Sequence, residues 1–511
     1  MPLEKPQALD ASEPWDVCIV GSGPAGTILG TSLVERGLRT LILESGGGMR
    51  QWLFDKEVRK LAEYEFSGDT DYPLTRTTSR IIGGNSNFWT GRCERFHPSD
   101  FEAHPYLPAE NPWPIRYDDL EPYYTRAEKT LRVRGGEPSR FMPPRSEPFP
   151  LKARSDITVL KELMQKGGVT LDDSPTATPE KALRFFRVNK EILPRFLASP
   201  LGTLVSGVTA TDLVHDERGA VAGVTARCLD GTTRTARARV YVVSCGGIQS
   251  PRLLLLSRSE RFPDGLGNEY DRVGRGFNEH PSLNFYGRIR SGWGKLRPRH
   301  KIGRTHQFYE TFRAEGLGAI HAVCIQSFAF PNHLLRYRLA DLPKHVADAA
   351  SRLVWPTIYM SPTLEMRPVD ANRVKLSETT RDAFGNPTAH LALSFTDEDR
   401  RLLERSRELV LSCFEKLGAT DIEEIEQTWS RHHIGTCRTG DDPKTSVVDR
   451  NLRVHASPNL FVCGAEVFVT GAATQPVLTI TAFAHRLAEH LVELFQKRDP
   501  AIATLGNRGV A

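Results

Sequence analysis

The chain has 511 residues, 39% of them hydrophobic and 25% charged, with a formal net charge of +5; this is ordinary globular material with room for two or more packed domains. So mild a charge, with no lysine–arginine block interleaved with aromatics, gives nucleic acid no footing as a partner. No apolar run approaches the length of a membrane span, and the opening residues are polar and proline-bearing without a twin arginine, so a cytoplasmic protein is expected.

In chain order, residues 16–20 form a short apolar run of the kind a buried parallel strand shows. Gly21-Ser22-Gly23-Pro24-Ala25-Gly26 follows at once. Residues 25–36 then read as a helix with Leu29, Leu33 and Val34 on one face, and residues 39–43 as a second apolar strand that ends in Glu44. A strand, a tight glycine turn, a helix and a second strand closed by an acid about twenty residues on make up the dinucleotide fingerprint. In it Gly21, Gly23 and Gly26 let the backbone approach a pyrophosphate, the helix opening at Pro24 and Ala25 offers N–H groups and a positive dipole end, and Glu44 accepts from ribose hydroxyls.

Residues 76–95 follow as a loop rich in Gly, Ser and Thr, and Asp118-Asp119 caps a helix that continues through Ala127. The proline-rich stretch 138–150 reads as a surface connection. Residues 202–243 read as an antiparallel meander with turns at Glu217-Arg218-Gly219 and Asp230-Gly231, closing on a buried strand that runs into Gly246-Gly247. Residues 281–431 mix strands and aromatics with one long helix over 397–417; 459–464 is one more buried strand, and 479–496 a terminal helix. The eight cysteines show no C-x-x-C spacing, so they read as reduced core or loop residues, and neither a disulfide framework nor a metal site is expected.

Near the end, His432-His433-Ile434-Gly435-Thr436 sets two imidazoles in a glycine turn. Oxidising an alcohol requires a base for the hydroxyl proton while hydride leaves the carbon, and an imidazole with a pKa of about 6.5 suits that task. His432 is the candidate base and His433 is read as structural. His97, His280 and His485 are read as doing no chemistry.

Over essentially its full length the sequence resembles the glucose-methanol-choline (GMC) oxidoreductases, and within them the branch of pyranose 2-oxidases and bacterial sugar dehydrogenases. The resemblance is carried by residues 21–26, Arg80-Ile81-Ile82-Gly83-Gly84-Asn85-Ser86, residues 113–124, 245–257 and 274–281, Asn372-Arg373-Val374, and residues 432–440. It implies a mixed α/β and α+β fold: a Rossmann-like FAD-binding domain from residues 1–100, 201–280 and 440–511, and a substrate domain from 101–200 and 281–439, built on an antiparallel sheet flanked by helices. It also implies FAD as cofactor, and oxidation of a CH–OH group of a sugar, glycoside or aminocyclitol-like polyol, with hydride passing to flavin N5 and then to oxygen or another acceptor.

By the same resemblance His432 is the catalytic histidine, and Gln475, before Pro476, holds the partner position usually occupied by His or Asn. Glutamine keeps an amide that donates and accepts, on a side chain one methylene longer than asparagine's. Phe88, before Trp89, stands where covalent members carry a histidine bonded to the flavin, which implies noncovalent FAD. Ser45, Arg80, Gly84, Asn85, Ser86 and Pro476 are further cofactor positions, Val205 lies where backbone meets the adenine, and Gly464-Ala465 ends the strand that reaches the ribityl chain. Two other outcomes are an FAD-containing lyase that cleaves cyanohydrins with the same histidine and a flavin-binding chain without turnover. Residues 304–359 are the candidate specificity segment, where Phe308, Tyr309, Phe328, Phe330, Trp355 and Tyr359 offer platforms for sugar faces or ordinary core packing.

Overall fold

The computed structural model describes residues 6–10, 13–55, 58, 60–106, 112–180, 185–228, 230–289, 301–327 and 357–499. Phe328, Phe330 and Trp355 lie outside the described residues. The apolar runs assemble into a five-stranded parallel sheet in the order Leu460–Val462, Ala238–Val243, Trp15–Val20, Thr40–Glu44, Gly202–Ser206. Its inner strands are apolar on both faces because helices cover them. Pro24–Val34 packs on the sheet and against the terminal helix Val477–Gln496, which also packs on Tyr117–Thr130. Tyr124 and Thr130 of that last helix hydrogen-bond Thr479 and His485, each at 2.9 Å.

Two local expectations change. The strand Gly202–Ser206 belongs to the parallel sheet, paired with Thr40–Glu44, and not to the antiparallel meander. Leu204 and Val205 in it are adjacent and both fully buried, so it is covered on both faces; in–out alternation begins only at Val208. The antiparallel part is confined to Val208–His215, Val221–Cys228 and Thr233–Ala236, and Ala238–Val243 returns to the parallel sheet. The helix Tyr117–Thr130 takes its cap from inside: Asp119, in the first turn, accepts from the Arg116 N–H at 2.8 Å.

A second, six-stranded sheet runs in the order Ala419–Trp429, Pro281–Ile289, Thr357–Leu364, Ile320–Ser327, Lys301–Thr305, Asp172–Asp173, with antiparallel neighbours throughout. Leu283, Phe285, Ala322, Cys324, Ile358 and Met360 bury one face against the helices Thr158–Lys166 and Asp397–Lys416. Thr396 caps the longer helix, accepting from the Asp399 N–H at 3.1 Å. The alternate residues Ser282, Asn284, Ser361, Thr363, His321 and Arg304 form the opposite face, and all are buried. A sheet apolar on its helix side and polar on the other gathers buried hydrogen-bonding groups on one face, where Arg304 meets Gln475. All eight cysteines are unpaired, and no helix among the described residues is long and apolar enough to cross a membrane.

Candidate active site

The glycine turn works by close approach. A Cβ on Gly26 would lie 2.0 Å from the Gly21 carbonyl oxygen, so only glycine lets the helix start against the strand end. Gly21 has φ +106° and would place a Cβ 2.5 Å from the Ser244 oxygen. Gly23 by contrast has open space beyond its Cα. That space belongs to a cavity of about 500 Å³ lined by residues 20–25, 43–45, 75–80, 84–86, 88–89, 208–210, 244–249, 430–433 and 463–466, together with Pro476. The second glycine loop closes on the first: a Cβ on Gly84 would lie 3.2 Å from the Gly23 Cα.

Glu44 organises this end of the cavity. One carboxylate oxygen accepts from the Ser22 N–H (3.1 Å) and hydroxyl (2.6 Å), the other from the Gly46 N–H (2.8 Å), and the Ser22 hydroxyl in turn accepts from the Gly83 N–H at 3.1 Å. Burial raises the Glu44 pKa, and these donors and Arg80 oppose the rise. Arg80 is buried and reaches Ser45 Oγ at 3.4 Å, while its Nε and Nη2 have no protein partner. Ser244 Oγ, Trp89 Nε1 and Glu466 Oε2 are also buried without partners, and all belong to residues on the cavity wall. Orphaned polar groups of this kind need an explanation. A dinucleotide offers both acceptors and hydroxyl donors: the turn and Arg80 suit a pyrophosphate, Glu44 a ribose, and the wall from Ser244 to Glu466 the remainder of FAD.

At the other end, the loop carrying the histidines is strapped to residues 278–280. Asn278 and Ile434 exchange backbone hydrogen bonds at 3.1 and 3.2 Å. The buried Glu279 carboxylate accepts from the N–H groups of Arg431 (3.1 Å), His432 (2.5 Å) and His280 (3.1 Å). Gly435 has φ +91° and would place a Cβ 2.4 Å from the Gly276 oxygen, which is why a glycine ends the turn. His432 and His433 are half-buried on the cavity wall. His432 Nδ1 lies 2.7 Å from His280 Nδ1, while His433 Nε2 lies 2.8 Å from the Tyr72 hydroxyl and 3.0 Å from Thr77 Oγ1. Burial, then the neighbouring His280 and His433, hold His432 well below the ordinary histidine value; burial brings His433 down to about 4. Both rings are neutral at neutral pH.

Gln475 is buried and not part of the cavity wall; its amide oxygen accepts from Arg304 Nη1 at 3.0 Å. Arg304, on the polar face of the second sheet, is wholly buried and paired with Glu94 at 2.5 Å, and it also donates to His321 Nε2 at 2.6 Å and Ser174 Oγ at 3.0 Å. Burial draws its pKa down to about 9, so it remains a cation at neutral pH. Beyond it His306 contacts both His321, with ring centroids 5.4 Å apart, and His97, with ring nitrogens 2.8 Å apart, and Tyr309 stacks on His97 at 3.8 Å.

The structure brings Gly21, Gly23, Pro24, Ala25, Glu44, Ser45, Arg80, Gly84, Asn85, Ser86, Phe88, Gly464, Ala465, Pro476 and His432 to one cavity. Gly26 lies behind it as a packing glycine. Val205 is buried in its strand, and Val208, Thr209 and Ala210 reach the wall instead. Phe88 is 47% exposed. Tyr309 is core, Phe308 packs on core clusters, and the Tyr359 ring lies 4.8 Å from Tyr286. Glu279 and Glu94 drew no reading from the sequence, His280 was read as doing no chemistry, and Arg304 only opened the specificity segment. Glu279 and His280 sit inside a quoted motif; the pairing of Arg304 with Glu94 carried no sequence signal.

Profiles described as GMC oxidoreductase match residues 186–282 and 368–484, and one described as FAD binding domain matches residues 14–49. The paromamine 6'-oxidase of Streptomyces fradiae is 31% identical over 94% of this chain and 92% of its own length. The chain belongs to the GMC oxidoreductases. It is an FAD-dependent oxidoreductase acting on CH–OH groups. The large subunit of fructose dehydrogenase from Gluconobacter japonicus is 24% identical over 93% of the chain and 97% of that protein. The pyridoxine 4-oxidase of Mesorbium loti shares the fold, with a TM-score of 0.61, 19% identity, and coverage of 93% of this chain and 99% of that one.

Proposed function

We propose that this GMC oxidoreductase oxidises a hydroxyl of a sugar, glycoside or aminocyclitol-like polyol, with noncovalently held FAD, His432 as the base, and oxygen or another acceptor taking the electrons. The observation that carries the reading is His432 itself: a neutral imidazole on the wall of the cofactor cavity, its backbone clamped by Glu279. The relatives named for paromamine and fructose support the substrate class. The flavin, when bound, supplies the hydride acceptor. The chain's own part is to orient the hydroxyl and take its proton at His432, so that the O–H bond breaks as an N–H bond forms. Phe88, at the family's linking position, has no nucleophilic nitrogen, which supports noncovalent attachment. Gln475 acts through Arg304.

The test is anaerobic stopped-flow reduction of the flavin by a panel of sugars and glycosides. His432→Ala is expected to retain FAD and to be reduced on the order of 10²–10⁴-fold more slowly, and His433→Ala to stay within about tenfold, ~1.4 kcal/mol in the barrier. Gln475→Ala falls between them. A base must be neutral, and His432 is held below the ordinary value, so the limiting rate stays level from about pH 8 to about pH 6.5 and falls only at lower pH. A fast His432→Ala beside a slow His433→Ala transfers the role to His433; a bound flavin that no alcohol bleaches rejects the oxidation.

A further inference from the structure

We infer that His280 is a positioning residue that fixes which nitrogen of His432 is the base, and that this nitrogen is Nε2; the inference rests on the reading of His432 as the base. His280 is wholly buried, and its Nε2 lies 3.1 Å from the Gly471 carbonyl oxygen and 3.0 Å from that of Ala472. Two carbonyl oxygens only accept, so His280 Nε2 carries the hydrogen and donates. Burial lowers the His280 pKa to about 4, so at neutral pH the ring has that single N–H and its Nδ1 is a bare lone pair. His432 Nδ1, 2.7 Å away, therefore carries a hydrogen and donates to it. His432 is neutral as well, so its one hydrogen is used, and Nε2 is left with the lone pair.

The arrangement holds through proton uptake. When His432 Nε2 takes the proton, Nδ1 keeps its hydrogen, and the bond to His280 becomes charge-assisted without any ring turning or proton moving along the chain. His280 thus meets the two demands on a group behind a catalytic imidazole: it selects the tautomer beforehand and stabilises the cation afterwards, here through a neutral imidazole in place of a carboxylate. Glu279 serves a different purpose, since its carboxylate accepts backbone N–H groups of residues 280, 431 and 432 and holds the two ring-bearing segments in register. The strap between Asn278 and Ile434 does the same from the other side.

The test has two arms. In protein labelled with [15N]histidine, two-bond 1H–15N correlation at neutral pH is expected to show His432, assigned by its loss in His432→Gln, with a pyridine-type Nε2 and a pyrrole-type Nδ1. This arm needs folded protein and no turnover. In stopped-flow reduction, His280→Leu is expected to lower the limiting rate at least about tenfold with the substrate Kd unchanged, because a wrong tautomer removes the base; in serine protease triads that cost reaches ~10⁴. His280→Asn, whose amide oxygen can accept the same hydrogen bond, is expected to recover most of the rate. A pyrrole-type Nε2 on His432, or a His280→Leu enzyme reduced at the wild-type rate, overturns the inference. The expected nitrogen pattern beside a fast His432→Ala overturns the base reading and leaves the hydrogen-bond chain standing.

Discussion

Replacing Glu44 by alanine tests whether one buried carboxylate serves both the fold and the cofactor. The side chain holds the Ser22 N–H, the Ser22 hydroxyl and the Gly46 N–H at 2.6–3.1 Å. Truncation leaves two buried N–H groups without their acceptor at about 1–3 kcal/mol each, roughly 2–6 kcal/mol together. The site borders the cavity, so water can enter the vacated space and meet part of that demand; the expected cost is therefore in the lower half, about 2–4 kcal/mol. The Ser22 hydroxyl also accepts from the Gly83 N–H, so the loss spreads to the second glycine loop. If Glu44 binds the ribose as proposed, the lost charge-assisted bond, worth about 1.5–3 kcal/mol, weakens FAD by about 10- to 150-fold. Hydrogen–deuterium exchange of residues 17–47 and 80–87 in flavin-stripped protein reads the first quantity, and fluorescence titration with FAD the second. Glu44→Gln, which keeps one acceptor, should lie between. Wild-type protection of both segments together with an FAD affinity within about twofold of wild type refutes the reasoning.

On the proposed reading of Phe88 as standing where covalent relatives carry the linking histidine, acid or heat denaturation should release all of the flavin into the supernatant as FAD; yellow colour left on the precipitate contradicts this. Arg304→Leu leaves Glu94 buried without its cation and should cost about 3–5 kcal/mol, read as thermal inactivation and soluble yield. Adding Glu94→Gln should recover part of that loss, whereas losses that simply add would show that the two do not act as a pair.

The dinucleotide turn was legible in the amino-acid order because its causes are local. A strand, three glycines, a helix and an acid lie within one stretch of chain, and that spacing marks the turn; that Gly21 and Gly26 sit where a Cβ would strike backbone came from the structure. The His432 loop was legible because two histidines in a glycine turn lie next to each other in the chain and the family pattern runs through them; that Gly435 turns against Gly276 came from the structure. The strand Gly202–Ser206 was misread because which sheet a strand joins depends on what covers its second face, and that cover is the tertiary arrangement itself. The site beyond the glycine turns was decided in the same way. His280 meets His432 across 152 residues and Arg304 meets Gln475 across 171, contacts made only when the folded chain brings these distant segments together. A histidine or arginine in a strand has the same local signature whether it faces water, core or a catalytic ring. Its role is set by burial and by the partner that burial demands, and neither is written in the neighbouring residues.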